Sequence, residues 1–321
     1  MASGKKILII RFSSIGDIVL TTPVIRCLKE QLRGAEIHYL TKRSFADILG
    51  NNPYVSKVYS IEKNISEALK ELRLENYDHI VDLHNNLRSL EVKMRLFKSY
   101  TSFKKLNIQK WLLVNFKTDL LPKKHIVDRY MEAVKPLGIV NDSKGLDYFI
   151  PTKDEVDPGS LPETHRSGYI GFVIGAKHFT KQLPAEKIIS ICKKIDTPIA
   201  LLGGKEDEAK GEQVRNAVGK KIYNACGKYN LNQSASLIKQ AKKVITHDTG
   251  LMHIAAAFKK ETVSIWGNTI PEFGMYPYLP DPGSKTVEVK GLSCRPCSKI
   301  GYPKCPKGHF NCMNKIEFPQ L

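Results

Sequence analysis

Short aliphatic runs alternate along this chain with segments whose apolar residues recur every three to four positions. The runs at residues 7–11, 36–40, 55–60 and 79–82 predict strands in the first half. Runs at 169–174, 198–202, 221–224, 243–246 and 262–266 do the same in the second half. Helical periodicity fills the gaps, at 24–32 (apolar at Val24, Ile25, Leu28 and Leu32), 65–74, 185–194, 207–218, 232–240 and 251–258. Strand–helix alternation of this kind predicts parallel sheets covered by helices on both faces. Residues 151–167, PTKDEVDPGSLPETHRS, carry three prolines, a Pro-Gly step and no apolar period, the mark of a linker. The pattern therefore predicts an α/β chain of two similar domains, 1–160 and 161–321. In such sheets ligands sit at the carboxyl ends of the strands, and the default site is the cleft between two facing domains.

Polar, glycine-rich segments follow six of the predicted strands. They are Ser13-Ser14-Ile15-Gly16-Asp17, Leu83 to Ser89 (LHNNLRS), Gly175 to Pro184 (GAKHFTKQLP), Gly203 to Glu208 (GGKEDE), His247 to His253 (HDTGLMH) and Gly267-Asn268-Thr269. Each alone reads as a turn or a helix cap. Together they line the edge where ligands bind. Asp248-Thr249-Gly250 opening a helix suits an anion, because unpaired N–H groups and the helix dipole face it. Lys181 adds a mobile positive charge for a diphosphate. Asp207 or Glu208, after a glycine turn, is placed to accept hydrogen bonds from ribose hydroxyls. The chain has neither GxGxxG nor GxxxxGK[ST], so the pattern supports neither a standard dinucleotide site nor a P-loop.

Charge narrows the partner. The 321 residues carry 50 Lys+Arg against 32 Asp+Glu, a net +18, which favours an anionic partner. No RNA-binding aromatic motif, helix-turn-helix signature or continuous basic arm is present, so specific nucleic-acid binding is not expected. The richest basic stretch, residues 98–124, interleaves Lys104, Lys105, Lys110, Lys117, Lys123 and Lys124 with Phe103, Trp111, Leu112, Leu113 and Phe116. It reads either as a solvated helix with one buried stripe or as a surface that sits against anionic lipid headgroups. No apolar stretch approaches the roughly 20 residues of a membrane span. The N-terminal apolar run is too short for a signal-peptide core, so the expected location is cytoplasmic.

RFSSIGDIVLTTP, GAKHFTKQLP, HDTGLMHIAAA, SIWGNT and the terminal cysteine pattern resemble glycosyltransferase family 9, the bacterial heptosyltransferases that extend the lipopolysaccharide inner core. The resemblance implies a GT-B fold, two Rossmann-like domains facing across a central cleft, with the first binding acceptor and the second nucleotide sugar. It implies a metal-independent, inverting transfer of heptose from ADP-heptose to an anionic, lipid-linked acceptor at the inner face of the cytoplasmic membrane. No cofactor is required in that chemistry. Asp17 matches the family's catalytic base and Lys181 the lysine on the donor diphosphate. Asp248, Thr249, Gly250, Leu251 and His253 match the donor motif, and Gly175, Asp207 and Glu208 complete the expected donor set. Ser14, Gly16, Asn85 and Arg88 are the acceptor candidates, Arg88 as a clamp on a phosphate or carboxylate. Another nucleotide sugar, or a binding protein without catalysis, is the alternative.

Seven cysteines are present. Cys27, Cys192 and Cys226 are isolated and read as small core residues. Cys294, Cys297, Cys305 and Cys312 form C-x2-C-x7-C-x6-C, with His309 a rival ligand. Structural zinc is one reading of that set, free or redox-active thiols the other.

Overall fold

A computed structural model describes residues 4–319. The chain forms two compact units. The first runs to Lys105 and takes up again at Lys124–Phe149; the second comprises Leu106–Lys123 and everything from Ile150 on.

In the first unit, β1 (Lys6–Ile10) is followed by α1 (Ile15–Val19), α2 (Thr22–Gln31), β2 (Glu36–Lys42), β3 (Lys57–Ile61), α3 (Ser66–Leu74), β4 (His79–Asp82), α4 (Leu87–Leu96) and β5 (Tyr100–Ser102). The chain then lends α5 (Asn107–Phe116) to the second unit and returns with α6 (Ile126–Val134). The sheet is wholly parallel, in the order β3-β2-β1-β4-β5. β1 is central, and Ile7, Leu8, Ile9 and Ile10 are fully buried, as a strand covered on both faces requires. Chain order reverses between β1 and β4, which puts the topological switch point at their carboxyl ends.

The second unit contains α7 (Glu163–Arg166), β6 (Ile170–Val173), α8 (Ala185–Lys193), β7 (Ile199–Leu202), α9 (Glu208–Val218), β8 (Ile222–Asn224), α10 (Leu231–Gln240), β9 (Lys243–His247), α11 (Gly250–Ala257), β10 (Thr262–Trp266), β11 (Lys285–Glu288) and α12 (Asn311–Asn314). Its parallel sheet runs β11-β10-β9-β6-β7-β8, with the reversal between β6 and β9. Phe172, Ile245 and Ile265 from its central strands pack with Ile188, Ile191 and Met313 in one core.

The proline-rich segment at 151–167 is no free linker. Val156 and Leu161 are buried in the core of the second unit. The Val156 N–H donates to Ser236 Oγ (2.9 Å), and the Asp154 carboxylate accepts from Asn230 and Asn232. Alternating buried and exposed positions supply a strap that the lack of helical period concealed. The compact units accordingly divide at Phe149/Ile150. Among the described residues no helix is long and apolar enough to cross a membrane.

Candidate functional site

The first unit gathers its polar groups at the β1/β4 switch point. Asp17 occupies the first turn of α1, and its carboxylate reaches back to accept from the Ser14 hydroxyl (2.8 Å) and the Ser14 N–H (3.1 Å). The cap reading of Asp17 therefore holds locally, but the carboxylate is more than a cap. Arg11, the residue just past β1, places its guanidinium 2.5 Å from Asp17 Oδ1. The same guanidinium donates to the Ser13 carbonyl (2.8 Å) and, across the switch point, to the Leu83 carbonyl (2.7 Å). Burial works against the Arg11 charge, yet the Asp17 carboxylate raises its pKa above the ordinary arginine value. Arg11 thus fixes both loops around one carboxylate whose other edge remains partly exposed. Gly16 is buried within this turn.

After β4 the backbone is held by Asp82. One carboxylate oxygen accepts the N–H groups of His84 and Asn85, and the other takes the Ser89 hydroxyl and the buried Lys93 ammonium (2.8 Å). Asn85, in the left-handed region at φ 48°, donates its amide to the Phe103 carbonyl (3.0 Å), so that donor is committed to the fold. Arg88 stands over the Phe12 ring at 5.6 Å. His84, edge-on to Phe12, has a buried Nδ1 without a partner among the described residues. Burial first, then the Arg11 and Lys105 charges, push its pKa down to about 4. His84 is therefore a neutral imidazole at pH 7.

The second unit repeats the arrangement between β6 and β9 with the signs exchanged. Lys181 lies in a 3-10 turn after β6, and its Nζ is 2.6 Å from Asp248 Oδ2 at the end of β9. Thr269, after β10, donates to the same carboxylate oxygen (2.8 Å). Thr249 is the N-cap of α11 with no side-chain cap bond; the Met252 N–H donates to the Thr249 carbonyl (3.2 Å), and the Gly250 and Leu251 N–H groups sit at the open end of the helix. His253 is buried on that helix. Asn268 is about 1% exposed, and among the described residues both polar atoms of its side chain are without a partner. A buried amide left this way costs about 1–3 kcal/mol per group unless something else satisfies it.

Two clamps set the Lys181 turn. Thr180 exchanges hydrogen bonds with Tyr302, whose N–H lies 2.8 Å from Thr180 Oγ1. The Leu183 N–H donates to His247 Nε2 (3.0 Å). His247 is fully buried; burial, then the Lys210 charge, push its pKa down to about 3, and its accepting Nε2 places the ring proton on Nδ1. Gln182 joins the clamp, donating to the Ala176 carbonyl (2.6 Å) while Lys210 bonds its oxygen.

The glycine turn after β7 separates the two acidic candidates. Asp207 is buried, accepts from the Gly204 N–H (3.0 Å) and has its pKa raised by burial. Glu208 is exposed at the start of α9. Gly175 is needed by Asp207: a Cβ there would come within 2.0 Å of the Asp207 carboxylate.

The terminal cysteines do not form a ready ligand set. Among the described residues, the one group of three or more His, Cys, Asp or Glu with ligand atoms within 4.8 Å is Glu36, His38 and Glu75. Lys6 already stands beside it, 2.7 Å from Glu75. Cys297 Sγ donates instead to the Cys294 carbonyl, and Cys312 is packed in the core. Burial pushes the Cys312 thiol up to about 12 and the Cys297 thiol to about 11. Among the described residues Cys294, Cys297, Cys305 and Cys312 do not bring three ligand atoms within 4.8 Å of one another, although Cys294 Sγ lies 3.9 Å from His309 Nε2. The segment acts as a buttress. Arg295 binds the carbonyls of Gly267 (2.5 Å) and Thr269 (2.9 Å), and the Cys297 N–H donates to the Asn268 carbonyl (3.1 Å).

The residue pattern points to Asp17, Lys181 and Asp248 but not to their partners. Arg11 was hidden at the end of an apolar strand, where a single basic residue before S-S-I-G-D was the available signal. His247 and Thr269 lie inside the polar strand-end segments, but nothing in the pattern assigns them their partners.

Residues 65–303 match the glycosyltransferase family 9 (heptosyltransferase) profile. The chain is 27% identical over 303 residues to lipooligosaccharide heptosyltransferase 2 of Haemophilus influenzae, covering 83% of this chain and 84% of that protein. The structure resembles a family 9 glycosyltransferase from Veillonella parvula, with TM-score 0.73, 21% identity and 91% and 90% of the two chains covered. It also resembles the Escherichia coli ADP-heptose lipopolysaccharide heptosyltransferase II, with TM-score 0.70, 22% identity and 97% and 98% covered.

Proposed function

The chain belongs to glycosyltransferase family 9, and from that premise we propose that it transfers heptose from ADP-heptose to an anionic, lipid-linked lipopolysaccharide inner-core acceptor, with inversion at the anomeric carbon. The observation that carries the reading is the Lys181–Asp248–Thr269 cluster beside the uncapped N-terminus of α11 at the β6/β9 switch point.

The second unit binds the donor. Main-chain N–H groups of Thr249, Gly250 and Leu251 meet the diphosphate, where the helix dipole favours negative charge. Lys181 exchanges part of its contact with Asp248 for a phosphate oxygen, which frees the carboxylate for heptose hydroxyls. His253 supports the helix from its buried face. Glu208 is the ribose carboxylate, because Asp207 is turned inward and holds the glycine turn against Gly175. Asn268, buried with unspent donors and acceptor, adds to the polar wall beside Thr269.

The first unit supplies the base. The acceptor hydroxyl oxygen attacks C1, the bond from C1 to the phosphate oxygen breaks, and ADP leaves with that electron pair. Asp17 takes the hydroxyl proton as the new bond forms. Arg11 holds the carboxylate in place, Ser14 and Gly16 shape the turn, and Arg88 clamps a phosphate of the acceptor beside Asn85. Lys181 and the α11 N-terminus stabilise the leaving diphosphate, a type of preorganised charge worth several kcal/mol. The reading routes no step through a metal. It places the work at the cytoplasmic membrane face, where the lipid-linked acceptor resides.

Calorimetric titration with ADP-heptose, ADP-glucose, UDP-sugars and GDP-sugars, in EDTA, tests the assignment. Selective binding of ADP-heptose is expected. Selective binding of another nucleotide sugar would keep the fold and overturn the donor.

A further inference from the structure

Helix α5 carries large apolar side chains that are mostly exposed. Ile108, Trp111 and Phe116 are 72%, 55% and 62% exposed, and Leu120 just beyond is 59% exposed. The Trp111 and Phe116 rings touch edge to face with centroids 5.2 Å apart. Only Leu113 of the helix is buried. Soluble proteins leave single apolar residues exposed, but four large ones within residues 108–120 form a patch that needs a reason. The charge around it is one-sided: residues 104–124 contain six lysines and one acid, Asp119. Some of that charge is used internally. Lys117 donates to the Pro296 carbonyl (2.8 Å), and Lys110 stands 5.4 Å over the Phe273 ring. Lys123, just past Leu120, is exposed.

We propose that α5 and the following turn to Lys123 are a membrane-docking surface, inserting Ile108, Trp111, Phe116 and Leu120 at the headgroup boundary of an anionic bilayer. Exposed aromatics beside lysines are the chemistry of interfacial helices, whose apolar side enters the acyl boundary while cations meet lipid phosphates. A ten-residue helix is about 15 Å long, too short for a coiled-coil seam with a partner helix. The excess of +18 over the chain adds long-range attraction to the same surface. The inference rests on the lipid-linked acceptor of the proposed function for its purpose; its geometry is independent of that reading.

The chain carries a convenient reporter. It has two tryptophans, and Trp266 is about 1% exposed in the β10 core, so a change in emission on vesicle binding reports Trp111. The full-length protein is mixed with phosphatidylcholine vesicles, with and without phosphatidylglycerol, and with brominated lipid. Co-flotation with the anionic vesicles, a blue shift and quenching by bromine are expected, with binding weakened by salt. The double variant Trp111→Ser/Phe116→Ser should bind those vesicles at least about tenfold more weakly, from the lost apolar transfer. It should bind ADP-heptose, and glycosylate a lipid-free core oligosaccharide, as the wild type does. Failure of the wild type to float, unquenched tryptophan in the bound protein, or equal vesicle binding by the double variant would each overturn the surface. So would a dimer that the double variant abolishes, which would assign the patch to a second copy. Loss of the heptosyltransferase reading would show separately, as absent ADP-heptose binding in the wild type.

Discussion

The switch points of the two sheets use one topology with opposite polarity. Between β1 and β4 the buried member of the pair is the cation, Arg11, and the more exposed one is the carboxylate, Asp17. Between β6 and β9 both members are mostly buried, the carboxylate of Asp248 slightly more so than the ammonium of Lys181, and Asp248 also accepts from Thr269. In each place the inner charge positions the outer one. A supported carboxylate is suited to accepting a proton, and a supported ammonium to meeting a diphosphate. The supports differ in stiffness as well. Arg11 spends its donors on two main-chain carbonyls and the carboxylate, so it welds two loops together. Lys181 has a single ammonium on a flexible stem, which can trade Asp248 for a ligand.

Removing the outer cation should cost catalysis heavily. Lys181→Met is expected to lower kcat about 10²–10³-fold, the usual size for a lost transition-state charge partner, and steady-state kinetics with ADP-heptose check it. Removing the inner cation should act mainly on the fold. Arg11→Met leaves Asp17 and the Leu83 carbonyl without their partner, and a loss of about 2–3 kcal/mol is expected in urea unfolding, discounted for the partial exposure of the pair. Arg11→Lys, which keeps charge but loses the fork, should fall between.

Acid should weaken the second switch point next. His247 stays neutral in the fold to about pH 3, whereas the unfolded chain takes up its proton near the ordinary value of about 6.5. Between those values the unfolded state binds more protons, so stability falls as pH falls, by about 1.4 kcal/mol per unit at most. His84, held neutral to about pH 4, pulls the same way. Urea midpoints across pH 5 to 7.5 check the slope, and His247→Gln should flatten it. The smallest effect is that substitution itself at neutral pH. A glutamine oxygen can still accept the Leu183 N–H, so His247→Gln should stay within about 1 kcal/mol of wild type, while His247→Leu should cost about 1–3 kcal/mol and raise the KM for donor.

Much of this architecture was legible in the pattern of residues. The strands buried on both faces, such as β1 and β7, are continuous aliphatic runs and emerge within one or two residues of their bounds. β5 and β11 did not, because edge strands are short and half-exposed: Tyr100–Ser102 and Lys285–Glu288 lack an apolar run. The strap at 151–167 was hidden for another reason, since its order comes from side chains of α10 that lie some eighty residues on. At the sites, residue types were readable and pairings were not. Nothing local ties Lys181 to Asp248 or Arg11 to Leu83; only the closing of a parallel sheet at its switch point brings them together. Asp207 and Glu208 are adjacent, and burial alone separates a structural carboxylate from an available one.

The division of labour between the two switch points is tested most directly by Asp17→Asn, with ADP binding and heptose transfer measured on the same preparation. The account predicts ADP binding like that of the wild type and a fall in kcat of about 10²–10⁴-fold, the loss of a general base. Transfer at close to the wild-type rate, or transfer and ADP binding lost together, would contradict it.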